Sequence, residues 1–155
     1  MLLRVLISFL VILTGSNDVS SQDSKELLKE QHAFLEDIYI QGGAIYLKNK
    51  EYSLSNNDSN EEFFTRGGIQ SINPDEVVGL LIRNIEMQDE DWVLLTKFDY
   101  LDYLTFMFCN IDDEKAKSAS RLTKLRDLTF SDEPITGACF ETLREMPNLK
   151  SICLL

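Results

Sequence analysis

The chain has 155 residues, 44% of them apolar, enough for one modest core and no call for a second globular domain. Asp and Glu number 26 against 15 Lys and Arg, for a net charge of -11. Phosphate backbones and anionic lipids select positive charge, so this balance argues against nucleic acid or an acidic membrane surface and favours a partner with a basic patch.

Arg4 is followed by an apolar run from Val5 to Leu13, far shorter than the roughly 20 residues a membrane span needs. Val19 and Ser21 then stand at the -3 and -1 positions of a cut before Gln22. The pattern predicts a signal peptide over residues 1–21, cleaved between Gly15 and Ser21, and a protein that is secreted, periplasmic or at the cell surface, without membrane insertion afterwards. The alternative is a short buried helix. No cysteine follows the run to carry a lipid anchor, and because Arg4 and Asp18 leave together the mature charge stays at -11.

Asp23 to Ile40 reads as a helix, with Asp23 and Glu26 at capping-box spacing and Gly42-Gly43 as the stop. Leu27, Leu28, Phe34, Leu35 and Ile38 form its apolar stripe, and His32, the single histidine, is placed on its polar side. A stretch of period two from Ala44 to Lys48, the pair Asn49-Lys50, and a second from Glu51 to Ser55 predict a β-hairpin. Asn56 to Glu62 has no apolar residue and reads as an exposed loop. Phe63 to Glu76 reads as irregular, with Phe63, Phe64 and Ile69 tucked against the core. Residues 22–76 are thus expected to form a cap for the remainder of the chain.

From Val77 onward the chain repeats itself. Leu101, Leu104, Phe106, Ile111, Ala116, Ala119 and Leu122 become Leu125, Leu128, Phe130, Ile135, Phe140, Leu143 and Met146 on adding 24, and Val77, Leu80, Ile82, Met87, Trp92, Leu95 and Phe98 on subtracting it. All are apolar. Leu149, Ile152 and Leu154 open a fourth unit. Within each unit the first apolar positions alternate as a strand does, and the last three recur at helical spacing. One such unit cannot bury both its faces, whereas a stack of them can.

The segment Leu101–Ile111 (LDYLTFMFCNI) resembles the consensus Leu-x-x-Leu-x-Leu-x-x-Asn/Cys-x-Leu of the leucine-rich-repeat family, with Cys109 at the Asn/Cys position. The unit length and the leader look most like short, exported bacterial members. The resemblance implies an α/β fold: a short leucine-rich-repeat solenoid with a parallel sheet over residues 77–155, capped by an N-terminal helix and β-hairpin. Two units depart from the consensus, placing Ile85 and Glu133 where Asn or Cys is usual, which predicts an incomplete internal side-chain ladder.

In that family the residues between the buried leucines form a concave binding face. Here they are Gly79, Leu81, Arg83 and Asn84; Tyr103, Thr105, Met107 and Phe108; Asp127, Thr129, Ser131 and Asp132; and Ser151, Cys153 and Leu155. Arg83, Tyr103, Thr105, Met107, Phe108, Asp127, Thr129 and Ser131 are the expected contact residues, and Tyr103, Met107 and Phe108 the anchors, since aromatic and Met side chains dominate contact energies. The competing reading has the N-terminal hairpin covering them.

The acidic runs Asp89–Asp91 and Asp112–Glu114 fall where successive short helices begin. Stacked carboxylates suit calcium, but helix capping accounts for them without a ligand, and no spaced metal motif is present. The third unit has Thr136-Gly137 there, a cap without charge. Cys109 is expected inside, Cys139 near a helix start and Cys153 on the last strand, where it is the candidate for pairing between chains. With one histidine, no Cys-x-x-Cys and no Gly-rich loop before a helix, each familiar catalytic or cofactor constellation lacks a member. Asn57-Asp58-Ser59 fits a glycosylation sequon, relevant only in a eukaryote. These features together point to non-catalytic recognition of a protein or peptide, without cofactor. The alternative is assembly through the last strand, whose free edge invites self-association.

Overall fold

The computed structural model describes residues 19–48, 53–55 and 68–155. The apolar leader run, the Asn49-Lys50 turn, the polar loop with its sequon, and Phe63 and Phe64 lie outside these residues.

Strand β1 (Ala44–Leu47) and strand β2 (Ser53–Ser55) pair antiparallel, with Ala44 opposite Ser55 and Tyr46 opposite Ser53. Strands β3 (Val77–Arg83), β4 (Tyr103–Met107), β5 (Asp127–Ser131) and β6 (Ser151–Leu154) pair parallel in chain order. The whole is one mixed, mostly parallel six-stranded sheet in the order β2-β1-β3-β4-β5-β6.

The period seen in the sequence is the register of this sheet. Leu80 pairs with Leu104, Leu104 with Leu128, and Leu128 with Ile152; Ile82, Phe106, Phe130 and Leu154 form the next row. Both rows point to the covered face, because side chains along a strand alternate between faces. Between strands the chain crosses behind the sheet through helix α2 (Asp89–Leu95), helix α3 (Asp113–Lys117) with the 3-10 turn Ser118–Arg121, and helix α4 (Phe140–Leu143). Trp92, Leu95 and Phe98 are buried at the three-residue spacing of the first crossing. Trp92 leans on Phe106 with ring centroids 5.2 Å apart, and Phe106 stacks on Phe130 at 5.7 Å. Aromatic pairs at such distances add about 0.5–1.5 kcal/mol each beyond the area they bury.

Burial fades along the stack. Of the repeating apolar positions, only Ile135 and Phe140 in the third unit are not fully buried, and in the fourth Leu149 and Ile152 are half-buried while Leu154 is exposed. Strand β6 has a partner on one side only among the described residues.

Helix α1 (Val19–Ile40) starts four residues earlier than expected, so Val19–Ser21 form its first turn and Asp23 lies within it, not at its cap. Only its second half packs on the core, through Phe34, Leu35 and Ile38; Leu28 is exposed. His32 is buried, not on the polar side: its Nε2 lies 2.7 Å from the Ile72 carbonyl oxygen, while Gln31 Nε2 donates to the Lys97 carbonyl at 3.0 Å. These polar contacts satisfy backbone carbonyls far along the chain, a use that hydrophobic periodicity does not reveal. The helix ends at Gly42 (φ +80°), and Gly43 lets it sit against the sheet, since a Cβ there would collide with the Leu81 carbonyl oxygen and with Ile38. The irregular segment contains two 3-10 turns, Gly68–Ser71 and Pro74–Glu76, the second capped by Asn73 Oδ1 accepting from the Asp75 amide at 3.1 Å.

Candidate functional site

The face of the sheet away from the helices carries the residues between the buried rows. Tyr46, Gly79, Tyr103, Asp127 and Ser151 make one row across five strands; Ala44, Leu81, Thr105, Thr129 and Cys153 make the next; Arg83, Met107 and Ser131 make a third. Among its described residues the hairpin does not cover this face. It joins edge-on, antiparallel to β3, and so widens it by bringing Tyr46 into the row of Tyr103.

Tyr103 is 48% exposed and Phe108 49%. Arg83, Thr105, Met107, Asp127 and Thr129 are half-buried. Ser131 does not belong with them. It is buried, and its hydroxyl donates to Asp132 Oδ2 at 3.2 Å; beside Met107, its register partner, so short a side chain does not reach solvent. Tyr46, 43% exposed, is the residue that sequence reasoning missed. Its alternation with buried Ile45 and Leu47 was visible, but whether the hairpin would lie over the sheet or extend it was not.

Strands β3, β4 and β5 end in the same way. Asn84, Phe108 and Asp132 stand at successive repeat positions with φ of +52°, +55° and +54°. This left-handed turn aims each amide at the next strand, so that Asn84 N–H donates to the Met107 carbonyl, Phe108 N–H to that of Ser131 and Asp132 N–H to that of Leu155. Asn and Asp tolerate the conformation because their short polar side chains bond locally, whereas a bulky side chain there is an outlier. Phe108 is that outlier. Its ring has the Arg83 guanidinium 5.8 Å from the centroid, and Arg83 Nε is buried without a hydrogen-bond partner.

Behind the open face, adjacent turns are tied by side chains. Glu133 reaches back one turn, accepting from the Cys109 amide at 2.6 Å and the Ile111 amide at 2.7 Å. The Cys109 thiol donates to the Ile82 carbonyl at 3.4 Å. The ladder expected to be broken at Glu133 is therefore bridged there by a longer side chain; only Ile85, buried and apolar, has nothing to contribute. Burial pushes the Cys109 thiol above its ordinary pKa, as it does Cys139, which is taken up to about 11 with help from neighbouring Asp113.

The acidic runs act as caps. Asp91 Oδ2 accepts from the Gln88 amide at 2.9 Å, and Asp112 Oδ1 from the Lys115 amide at 2.8 Å. Asp113 caps the following turn, accepting from the Thr136 hydroxyl (2.7 Å) and from the amides of Thr136, Gly137 and Cys139 (3.0–3.1 Å). The third helix start thus has its charge after all, supplied by the previous unit. The Thr136 hydroxyl and the surrounding amides hold Asp113 far below the usual carboxylate range. Among the described residues, no three His, Cys, Asp or Glu side chains converge as a metal would require, and no helix is long and apolar enough to cross a membrane.

In comparisons by sequence, no protein-family profile and no curated protein matches the chain.

Proposed function

We propose that the chain is a short leucine-rich-repeat solenoid, exported after loss of its leader, that recognises a protein or peptide through the open face of its sheet and performs no chemistry there. The supporting observation is Phe108. At the position where neighbouring turns use Asn84 and Asp132, this turn holds a large ring half in solvent on a strained backbone. Folding alone favours Asn, Asp or Gly at that position, and strain retained against local preference is characteristic of contact sites. Met107 and Tyr103 on the same strand, with Arg83 beside the ring, complete a cluster of the side-chain types that anchor interfaces. Crosslinking with mass spectrometry in the native host, comparing wild type with Tyr103→Ala/Phe108→Ala, tests the reading. Loss of a crosslinked partner in the variant is expected; an unchanged set of partners refutes it.

A second reading, assembly through β6, is favoured by the half-exposed apolar side chains of the last unit, Ile152 and Leu154. Light scattering at tens of micromolar separates the two, because a monomer at that concentration removes self-association.

A further inference from the structure

Among the described residues, two arginines have a side-chain Nε enclosed by the protein without a hydrogen bond, Arg83 and Arg126. Arg126, just ahead of β5, is matched by its own chain: Asp102, one repeat earlier, stands 3.6 Å from its guanidinium. Arg83, at the end of β3, has no such match. Its register partner on β4 is Met107, and its guanidinium makes no hydrogen bond or ion pair among the described residues. Its printed contact is with the Phe108 ring, 5.8 Å away, and the side chain is half-buried. Only Nε is enclosed; the terminal amino groups, equally without an acceptor, are open to solvent.

A half-buried charge without a counter-charge is unfavourable, and an ion pair formed there is screened less by water than one on an open surface. The rows of the open face and the turns that end them hold one cation, Arg83, and two anions, Asp127 and Asp132. Both anions belong to β5 or the turn after it, two strands and at least about 10 Å away. We infer that Arg83 receives a carboxylate carried by the partner, as a side chain or a chain end, with a neighbouring apolar side chain resting on the exposed part of the Phe108 ring. The inference rests on the open face being a recognition surface and names what it selects. One planar cation suits one carboxylate, which parallel N–H groups hold in a fixed orientation. A phosphate, with about twice the charge, calls for more than one cation, and Asp132 opposes it. The net charge of -11 is screened beyond about 8 Å at physiological ionic strength, and the pair forms inside that distance.

The test uses the whole protein labelled with nitrogen-15, its Arg83 Nε–H signal identified by its loss in Arg83→Gln. Three probes are titrated at constant ionic strength: acetyl-Phe-Glu-amide, with a side-chain carboxylate; acetyl-Phe-Gln as the free acid, with a terminal one; and acetyl-Phe-Gln-amide, with none. At least one acid is expected to shift the Arg83 signal saturably and to bind about three- to ten-fold more tightly than the amide, and the acid that responds identifies the source. Arg83→Gln, read at the Phe108 amide, should reduce that acid to the affinity of the amide probe. Arg83→Lys, which keeps the charge and loses the planar fork, should fall between. Arg144→Gln, the same charge change on an exposed side chain after α4, should leave binding unchanged. No response to either acid, equal response to all three probes, or equal weakening by Arg83→Gln and Arg144→Gln overturns the inference. Partner capture lost in Tyr103→Ala/Phe108→Ala but retained in Arg83→Gln, with a failed titration, would remove the carboxylate and leave the open face intact. Capture unaffected by either variant would remove both.

Discussion

Phe108 carries two opposed effects that substitution can separate. The left-handed backbone costs an ordinary L-residue about 1–2 kcal/mol, and Asn much less. The ring, 49% exposed, recovers part of a full burial worth about 1.5–3 kcal/mol, hence about 1 kcal/mol, with at most about 0.5 kcal/mol more from Arg83 at 5.8 Å. Phe108→Ala loses the ring and keeps the strain, so it should be less stable than wild type by about 1–1.5 kcal/mol. Phe108→Asn loses the same ring but relieves the strain, so it should fall within about 0.5 kcal/mol of wild type. The Asn variant is expected to unfold at a urea midpoint about 0.5 M above the Ala variant, taking a slope near 2 kcal/mol/M. Both should lose the partner equally. Equal midpoints for Ala and Asn would refute the claim that Phe108 is held against its backbone preference, and with it the main support for a contact role.

Glu133→Ala leaves the Cys109 and Ile111 amides without their acceptor, and should destabilise by about 1–3 kcal/mol, with hydrogen exchange quickened first at those two amides. Asp113 is depressed in the folded state, so its contribution is fully present above the unfolded carboxylate pKa near 4 and is lost as pH falls toward its folded value. The stability gap between wild type and Asp113→Ala, measured by urea at several pH values, should be constant from pH 7 to 5 and narrow below about pH 4. Gly43→Ala should be destabilising by about 1–3 kcal/mol in the same assay, because the colliding atom is the Leu81 backbone oxygen and not a movable side chain.

The stack is legible in the sequence because its signal is repeated. Leu80, Leu104 and Leu128 occupy one environment three times, so one misleading residue cannot hide the period. The same redundancy places Tyr103 and Asp127 on one face from the residues alone. Single, unrepeated contacts are not legible. His32 looks like a polar-face residue because periodicity weighs side-chain polarity and is blind to a distant carbonyl such as that of Ile72. Glu133 looks like a defect against the consensus because a motif compares residue types, whereas two carboxylate oxygens on a longer arm accept from two amides of the adjoining turn. Ser131 defeats the expectation for a geometric reason: parity gives the face a side chain belongs to, not whether it is tall enough to emerge from it.

Strand β6 offers a prediction sharp enough to decide the second reading. The Ser151 and Leu155 amides donate toward β5, to the carbonyls of Arg126 and Phe130. Alternation then turns the amide and carbonyl groups of Ile152 and Leu154 to the free edge. If a second copy adds to that edge about a two-fold axis, Ile152 of one chain and Leu154 of the other form hydrogen-bonded pairs. Cys153 then faces its own counterpart in a non-hydrogen-bonded pair, with Cα atoms about 4.5 Å apart, within the range a disulfide spans. Diamide treatment of the full chain should in that case give a covalent dimer that Cys153→Ser abolishes, while Cys109→Ser and Cys139→Ser do not, both thiols being buried. An edge with no partner strand among the described residues, and with no charge or proline from Ser151 to Leu154, is suited to such pairing. The opposing term is the net charge of -11 on each copy, which repels at low salt and is screened at high salt, so dimer yield should rise with ionic strength. A yield that falls with salt, or a dimer that survives Cys153→Ser, would show that the edges do not meet in this register.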